Sequence, residues 1–111
     1  MKRGDIFFAA LDPTRGSELR KTRPVIIVSN DVANRASSLV TVVPMTSNVT
    51  RVFPFEVAVA AKDSGLGKDG KAMAQQVRTV DKARLGSLRR GALSAPKLQA
   101  LDNALRLHLA L

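Results

Sequence analysis

Arg23 directly precedes Pro24, at the start of the apolar run PVIIVSN (residues 24–30). A proline disfavours the helical region for the residue before it and pushes that residue toward extended geometry. Arg23 therefore extends from a stiffened backbone at the edge of a predicted strand. Its guanidinium offers a permanent charge and five donors in a planar array, which matches a phosphate group. The residue type and its position predict a phosphate-binding arginine.

Polar side chains also follow two other predicted strands, so three polar clusters stand at strand ends. Binding and catalytic residues concentrate on loops that a rigid scaffold holds. Each cluster alone is ordinary, but if the three converge in the fold they form one polar pocket. The clusters are Ser17-Glu18 with Arg20-Lys21 and Arg23, then Thr46-Ser47-Asn48, and then Gln75-Gln76 with Arg78-Thr79.

Other kinds of chemistry find little support in the residue types present. The chain has no cysteine, which excludes thiolate nucleophiles and thiolate zinc sites. Its single histidine, His108, has no acidic neighbour in sequence and is expected on the surface of a helix. We expect no cofactor and no catalytic metal, because the acidic residues show no recognised ligand spacing. The acidic residues considered are Asp5, Asp12, Glu18 and Asp31.

The glycine-rich segment 65–70 matches the pattern G-x-G-x-x-G and nearly matches a nucleotide-binding loop. A dinucleotide motif must follow a strand and open a helix, whereas this segment precedes a strand-like run. The nucleotide loop requires Ser or Thr after its lysine, and this chain has Ala72 there. We therefore interpret the segment as a flexible hairpin loop.

The net charge of +9 and the sequence pI near 11.2 indicate a polyanionic partner. A basic surface that serves solubility alone is the alternative. The 111 residues suffice for one domain, 1–111, with one core. The N-terminus has no signal-peptide pattern, and no apolar stretch approaches the ~20 residues of a membrane span. We expect a soluble, cytoplasmic protein without membrane contact.

Short strands separated by turns dominate the chain before residue 94. The pattern predicts strands over 6–11, 24–30, 39–43, 53–60 and 71–78, and it is compatible with a further short strand at 84–88. Asn30 or Asp31 is predicted to cap one helical turn that runs through Arg35. This order favours a mainly β fold with helices (α+β), in which a strongly bent sheet or barrel packs against a C-terminal α-helix.

The C-terminal helix is predicted to start at the sequence Ser94-Ala95-Pro96, which combines an N-cap with a first-turn proline. Two apolar stripes run along it. A surface helix needs only one stripe, so the second covers a partner subunit, reflects deep burial, or belongs to a frayed last turn. The first stripe is Leu98, Leu101, Leu105 and Leu109, and the second is Ala100, Ala104, Leu107 and Leu111.

Segments along nearly the whole chain resemble the MazF/PemK toxin family. They are RGDI (3–6), LDPTRGSE (11–18), TRPV (22–25), VSND (28–31), NR (34–35), PMTS (44–47) and QVRTVD (76–81). The resemblance implies a small SH3-like or CcdB-like barrel that acts as a homodimer. It also implies a sequence-specific, metal-independent endoribonuclease toxin that a cognate antitoxin inhibits. An acidic, flexible segment laid over the basic site is the expected form of that inhibitor.

By position, the resemblance implies that Arg23 and Thr46 are the catalytic residues. RNA carries its own nucleophile, the 2′-hydroxyl, so the enzyme need only align that group and stabilise the developing charge. The products are then a 2′,3′-cyclic phosphate and a 5′-hydroxyl. A guanidinium holds its proton too tightly to serve as a general base, and Glu18 is the candidate base. The positions implied to line the single-stranded RNA are Ser17, Glu18, Asn30, Ser47, Gln76, Arg78 and Thr79.

Two other functions remain open from the sequence. One is a non-catalytic RNA-binding barrel, which the positive charge supports equally well. Only 4% of residues are aromatic, with no Trp or Tyr, and the four phenylalanines are expected in the core, so a base-stacking platform is disfavoured. The other is a CcdB-like toxin that poisons DNA gyrase. The charge and the motifs around Arg23 and Thr46 favour RNA.

Overall fold

The computed structural model describes residues 1–11 and 22–111. Its strands within these ranges are β1 (Asp5–Ala10), β2 (Thr22–Ile27), β3 (Leu39–Thr46), β4 (Glu56–Val59), β5 (Gly70–Met73), β6 (Arg78–Asp81) and β7 (Gly91–Ala92). Its α-helices are α1 (Asp31–Ala36), α2 (Ala61–Ser64) and α3 (Ala95–Leu109), and 3₁₀ turns cover Ala74–Gln76 and Lys82–Arg84. The prediction of short strands followed by one long terminal helix is confirmed.

The strands form one curled antiparallel sheet. Its order is β4-β5-β3-β2-β1-β7, and β6 pairs separately with β3. The segment after β6 runs along the same side of β1 as β7, because Ala9 bridges Leu85 and the Gly86 N–H donates to the Phe8 carbonyl at 2.7 Å. The result is a half-barrel with a C-terminal helix, as predicted.

The alternation along β2 divides the core between two faces of this sheet. Ile26 faces one apolar cluster, whereas Val25 and Ile27 face the other. The cluster beneath α3 contains Ile6, Ile26, Val43, Met45, Val57, Val59, Ala72, Ala74, Leu93, Leu101 and Ala104. The cluster inside the curl contains Phe7, Ala9, Leu11, Val25, Ile27, Val40, Val42 and Val80. Burial on both faces explains why β2 is a continuous apolar run rather than an alternating one.

Helix α3 packs on the sheet through its first three turns. Leu101 and Ala104 are buried, but Leu107 and Leu109 are 59% and 50% exposed. Leu111, beyond the helix, is 86% exposed. Leu109 belongs to the helix, as the first stripe predicts, but it lies beyond the part of α3 that the sheet covers. The role of the second stripe at a partner subunit stays a prediction. None of the helices in the described ranges combines the length and the apolar character that crossing a bilayer requires.

Two predicted strands are shorter in the structure than in the sequence analysis. The predicted strand 71–78 is broken by the 3₁₀ turn Ala74–Gln76, where Gln75 Nε2 donates to Glu56 Oε2 at 2.7 Å. The predicted strand 53–60 begins only at Glu56, because residues 53–56 form a turn in which the Glu56 N–H donates to the Phe53 carbonyl. Phe53 is 39% exposed in this turn, so the expectation that all phenylalanines lie in the core is wrong there.

Candidate functional site

Arg23 and Thr46 lie at the same end of two neighbouring antiparallel strands. β2 and β3 are antiparallel, and Val25 of β2 pairs with Pro44 of β3. Arg23 lies two residues before Val25 and Thr46 two residues after Pro44, so both lie toward the same end of the sheet. Residues two apart on a strand point to the same face of a sheet. Continuing the ladder therefore places Arg23 and Thr46 opposite each other on one face. Arg23 is exposed and Thr46 is half-buried, so both side chains are positioned to reach one bound group.

The surroundings of Thr46 fix its hydroxyl. Its Oγ1 accepts a hydrogen bond from the Asn48 N–H at 3.2 Å. A hydroxyl has one proton and two lone pairs, so the Thr46 O–H proton remains available to an anionic oxygen. The backbone of Thr46 pairs with Lys71 on β5, which anchors this end of β3.

Arg78 shares the face on which Arg23 and Thr46 lie. It pairs with Val42, which stands on the same face of β3 as Pro44 and Thr46. Its Nη1 donates to the Leu11 carbonyl at 3.3 Å, which brings its guanidinium to the end of β1 beside β2. Within residues 1–11 and 22–111, neither Arg23 nor Arg78 forms an ion pair. Their positive charges are thus directed at this face without a carboxylate partner from the described residues.

Two more of the sequence-predicted residues lie near this end of the sheet. Ser47 is exposed and lines a notch of about 30 Å³ together with Thr46 and Pro24. Gln76 is exposed in the 3₁₀ turn before β6, where its Nε2 donates to the sulfur of Met73 at 3.5 Å.

The remaining predicted residues are not brought to this place within one chain. Asn30 caps α1 by accepting from the Ala33 N–H at 2.8 Å, and it lies past the opposite end of β2, roughly 20 Å from Arg23 along an extended strand. Thr79 points to the face opposite Arg78, where its Oγ1 lies 2.9 Å from Thr41 Oγ1. Ser17 and Glu18 lie outside the described residues.

A buried ion pair supports β5 beside Thr46. Lys71 Nζ lies 2.9 Å from Glu56 Oε1 and also donates to the Arg51 carbonyl at 2.6 Å. Burial raises the pKa of the Glu56 carboxyl, but hydrogen bonds from the Phe53 N–H, Gln75 and Lys71 outweigh that effect, so its pKa lies below the ordinary value. A carboxylate with so many donors is a structural anion and a poor candidate for a general base.

Sequence analysis missed the contribution of the glycine-rich segment. The helix α2 precedes this segment and ends at Gly65, whose φ of +79° suits glycine. The following residues line the notch beside Thr46, and Lys68 is the cation among them. The sequence does contain a signal, because Lys68 is a basic residue within a glycine-rich segment. The proximity of Lys68 to Thr46, however, depends on how the sheet folds.

The described residues offer no obvious place for a metal. No cluster of three or more His, Cys, Asp or Glu side chains occurs among them. His108 is exposed on α3, as predicted, with its ring 6.4 Å from that of Phe55. The Arg23 face offers a guanidinium, a hydroxyl and the additional charge of Arg78, and the Lys68 ammonium lies at the adjoining notch, which Pro24 and Met45 line from the opposite face.

The half-barrel, its C-terminal helix and the basic face at one end define a small α+β barrel with a site suited to phosphate. The sequence matches, over residues 2–109, the family model described as the PemK-like, MazF-like toxin of type II toxin–antitoxin systems. The chain belongs to that family.

Individual relatives agree with this assignment. The chain is similar to endoribonuclease MazF9 of Mycobacterium tuberculosis (strain ATCC 25618 / H37Rv), with 47% identity covering 100% of this chain and 98% of the relative. It is also similar to endoribonuclease EndoA of Bacillus subtilis (strain 168), with 37% identity covering 100% and 96%. A solved structure of an endoribonuclease in complex with its cognate antitoxin from a mycobacterial species superposes with a TM-score of 0.83, at 28% identity, covering 100% of this chain and 96% of that one.

Proposed function

We propose that this protein is a sequence-specific endoribonuclease toxin that cleaves single-stranded RNA and is inhibited by a cognate antitoxin. The placement of Arg23 and Thr46 at one end of β2 and β3, on a single sheet face, is the observation that carries the proposal. Membership of the toxin family and the two relatives named as endoribonucleases support the activity. The net charge of +9 suits a polyanionic substrate in the cytoplasm.

The reaction uses the nucleophile that RNA itself provides. The 2′-oxygen beside the scissile phosphate attacks phosphorus as its proton leaves, the bond from phosphorus to the 5′-oxygen breaks, and the 5′-oxygen takes up a proton. The products are a 2′,3′-cyclic phosphate and a 5′-hydroxyl, and no outside reagent is required. Holding the 2′-oxygen in line with the leaving oxygen supplies several kcal/mol of the barrier.

Arg23 and Thr46 divide the work at the phosphate. The Arg23 guanidinium binds the phosphate and stabilises the negative charge that grows on the phosphate oxygens. The Thr46 hydroxyl donates its free proton to a phosphate oxygen, or orients the 2′-hydroxyl, while its lone pair holds the Asn48 N–H. Arg23 also assists protonation of the leaving oxygen. Glu18, outside the described residues, is our candidate for the base.

The antitoxin is proposed to act by covering the same basic face. The mycobacterial endoribonuclease that superposes on this chain is in complex with its cognate antitoxin. An acidic, flexible segment from such a partner complements the charges of Arg23 and Arg78. We also propose a homodimer, because Leu107, Leu109 and Leu111 leave apolar surface uncovered at the end of α3.

The test is cleavage of a transcript by the purified protein in the presence of a chelator, followed by sequencing of the product ends. We expect cuts at one short sequence, 2′,3′-cyclic phosphate ends, and full resistance when the cut-site ribose is 2′-deoxy. Cleavage of the 2′-deoxy substrate would refute internal attack. Binding of RNA without cleavage would favour the non-catalytic barrel, and inactivity on RNA would favour a protein target such as gyrase.

A further inference from the structure

The loop between α2 and β5 forms the wall of two adjoining hollows. One is a cavity of about 460 Å³, within the range of roughly 300–1,000 Å³ for small-molecule sites. The other is the notch of about 30 Å³ beside Thr46. Pro24, Leu66 and Lys68 line both, so the larger cavity continues into the notch at Thr46. Pro24 and Phe8 lie on the sheet face opposite to the Arg23 side chain, so the cavity reaches the Arg23 face around the start of β2. The lining of the larger cavity is Phe8, Thr22, Pro24, Leu66, Gly67 and Lys68.

The chemistry of the larger cavity suits a flat apolar group joined to an anion. Phe8 and Pro24 are cross-strand partners on β1 and β2, so they present one continuous apolar wall. Leu66 adds apolar surface from the loop, and the Phe8 ring is only half-buried. The exposed cation is Lys68, which forms no ion pair with any other described residue. A nucleotide combines these two properties, with a base for the wall and a phosphate for the ammonium.

Hydrogen bonds hold the backbone of this loop. The Gly65 N–H donates to the Ala61 carbonyl at 2.9 Å, and the Leu66 N–H donates to Ser64 Oγ at 3.1 Å. The carboxylate of Asp69 accepts from the Ala61 N–H at 2.8 Å, which closes the loop on itself. Lys68 is therefore an exposed side chain on a fixed backbone, and its charge stays beside the notch.

We propose that the larger cavity receives one nucleotide of the substrate adjacent to the cut, with the RNA backbone passing the start of β2 from the Arg23 face. Its base lies against Phe8, Pro24 and Leu66, and one of its phosphates pairs with Lys68. Stacking on an aromatic ring and charge pairing with the backbone are the two contacts on which proteins rely to hold single-stranded RNA. This inference rests on the proposed function, and it assigns a substrate-binding role to residues that the catalytic step itself does not need.

The first test measures binding rather than cleavage. The probe is an RNA oligonucleotide of the mapped cut sequence, made uncleavable by a 2′-deoxy ribose at the cut, and its affinity is measured across a range of salt concentrations. Losing one phosphate contact lowers the slope of log affinity against log salt by about 0.7 for single strands, and we expect roughly three- to tenfold weaker binding at low salt for Lys68→Gln. Lys68→Arg should retain binding because it keeps the charge.

Lys62→Gln is the matched control. Lys62 is exposed on α2 in the same segment, but it lines neither hollow, so removing its charge should leave the slope close to that of the wild type. If the wild type cleaves RNA but Lys68→Gln and Lys62→Gln have equal effects, the subsite is overturned and the proposed function stands. If the wild type cleaves no RNA, both the nucleotide subsite and the proposed endoribonuclease function are rejected.

The second test examines the base. The oligonucleotide is prepared with an abasic residue at each position in turn, and binding is compared between the wild type and Phe8→Leu. We expect one position next to the cut at which base removal weakens wild-type binding severalfold but has little further effect in Phe8→Leu. If base removal weakens binding by the same factor in the wild type and in Phe8→Leu at every position, the contact between the base and Phe8 is overturned.

Discussion

The carbonyl oxygen of Thr46 lies so close to Gly70 that a β-carbon at residue 70 would stand 2.8 Å from it. Glycine at this position therefore lets β5 lie against the end of β3, where the proposed catalytic hydroxyl is held. We predict that Gly70→Ala destabilises the protein by about 1–3 kcal/mol, because the neighbouring backbone has to shift. It should also lower cleavage, since the shift moves Thr46.

Gly67→Ala is the control for that change. A β-carbon at residue 67 meets nothing within 4 Å. The substitution should leave the free energy of unfolding unchanged or raise it slightly, by about 0.4–1 kcal/mol. Denaturant unfolding of the two variants makes the comparison, and equal stability would show that the contact at Thr46 is readily relieved.

Arg23→Ala should reduce the single-turnover cleavage rate by roughly 10²–10³-fold, the cost of removing one donor to a developing oxyanion. Its thermal midpoint should stay near that of the wild type, because Arg23 is exposed at the start of β2. Arg35→Ala removes an equal charge from α1, at the other end of β2, and should cleave almost normally. A fully active Arg23→Ala variant would remove this residue from the mechanism.

The Thr46 hydroxyl can be separated from the shape of its side chain. Thr46→Val keeps the branched shape but loses the donor, and we expect a rate roughly 10–100-fold lower, the value of a hydrogen bond to a charged group. Thr46→Ser keeps the hydroxyl and should stay within about threefold of the wild type. If Thr46→Val and Thr46→Ser cleave at similar rates, the hydroxyl of residue 46 has no role in catalysis.

The Glu56–Lys71 pair predicts how stability depends on pH. Folding lowers the pKa of Glu56 from its ordinary value near 4.5, so its contribution to stability is fully present above that value. The contribution is lost as the pH falls through the lowered pKa of the folded state. Denaturant unfolding at pH values between 7 and 3 should therefore show decreasing stability below about pH 4.5.

Glu56→Gln isolates this contribution from that of Asp31, whose pKa the Arg3 N–H also lowers. The substitution leaves Lys71 buried and unpaired, which costs about 3–5 kcal/mol at pH 7. Its remaining loss of stability on acidification should be smaller than that of the wild type. Asp63→Asn serves as the control, since the Asp63 carboxylate bonds to no other described residue. The same acid dependence in wild type and Glu56→Gln would contradict the assignment.

The parts of the fold that the sequence predicted correctly depend on short-range patterns. The apolar run after Pro24 and the signal at Ser94–Pro96 are local, and both give elements close to the predicted places. The 3₁₀ turn at Ala74–Gln76 was not predictable in this way, because its Gln75 side chain bonds Glu56 across the sheet. Local strand propensity favoured a continuous strand, and a long-range hydrogen bond broke it.

The same distinction applies to the candidate site. Arg23 was identifiable from its position before Pro24, but its alignment with Thr46 depends on the β2–β3 register. Lys68 was set aside because the glycine pattern around it lacks the context of a nucleotide loop. Its relation to Thr46 comes from the close approach of Gly70, which only the folded sheet reveals.

The central claim is that Arg23 and Thr46 act on the same phosphate of RNA, and a double-mutant cycle tests it most directly. Single-turnover cleavage is measured for the wild type, Arg23→Ala, Thr46→Val and the double variant on one mapped substrate. Residues that act as a unit are strongly non-additive, so we predict that the double variant is little slower than Arg23→Ala alone. Rate losses that multiply, or a single variant that cleaves as fast as the wild type, would contradict the account.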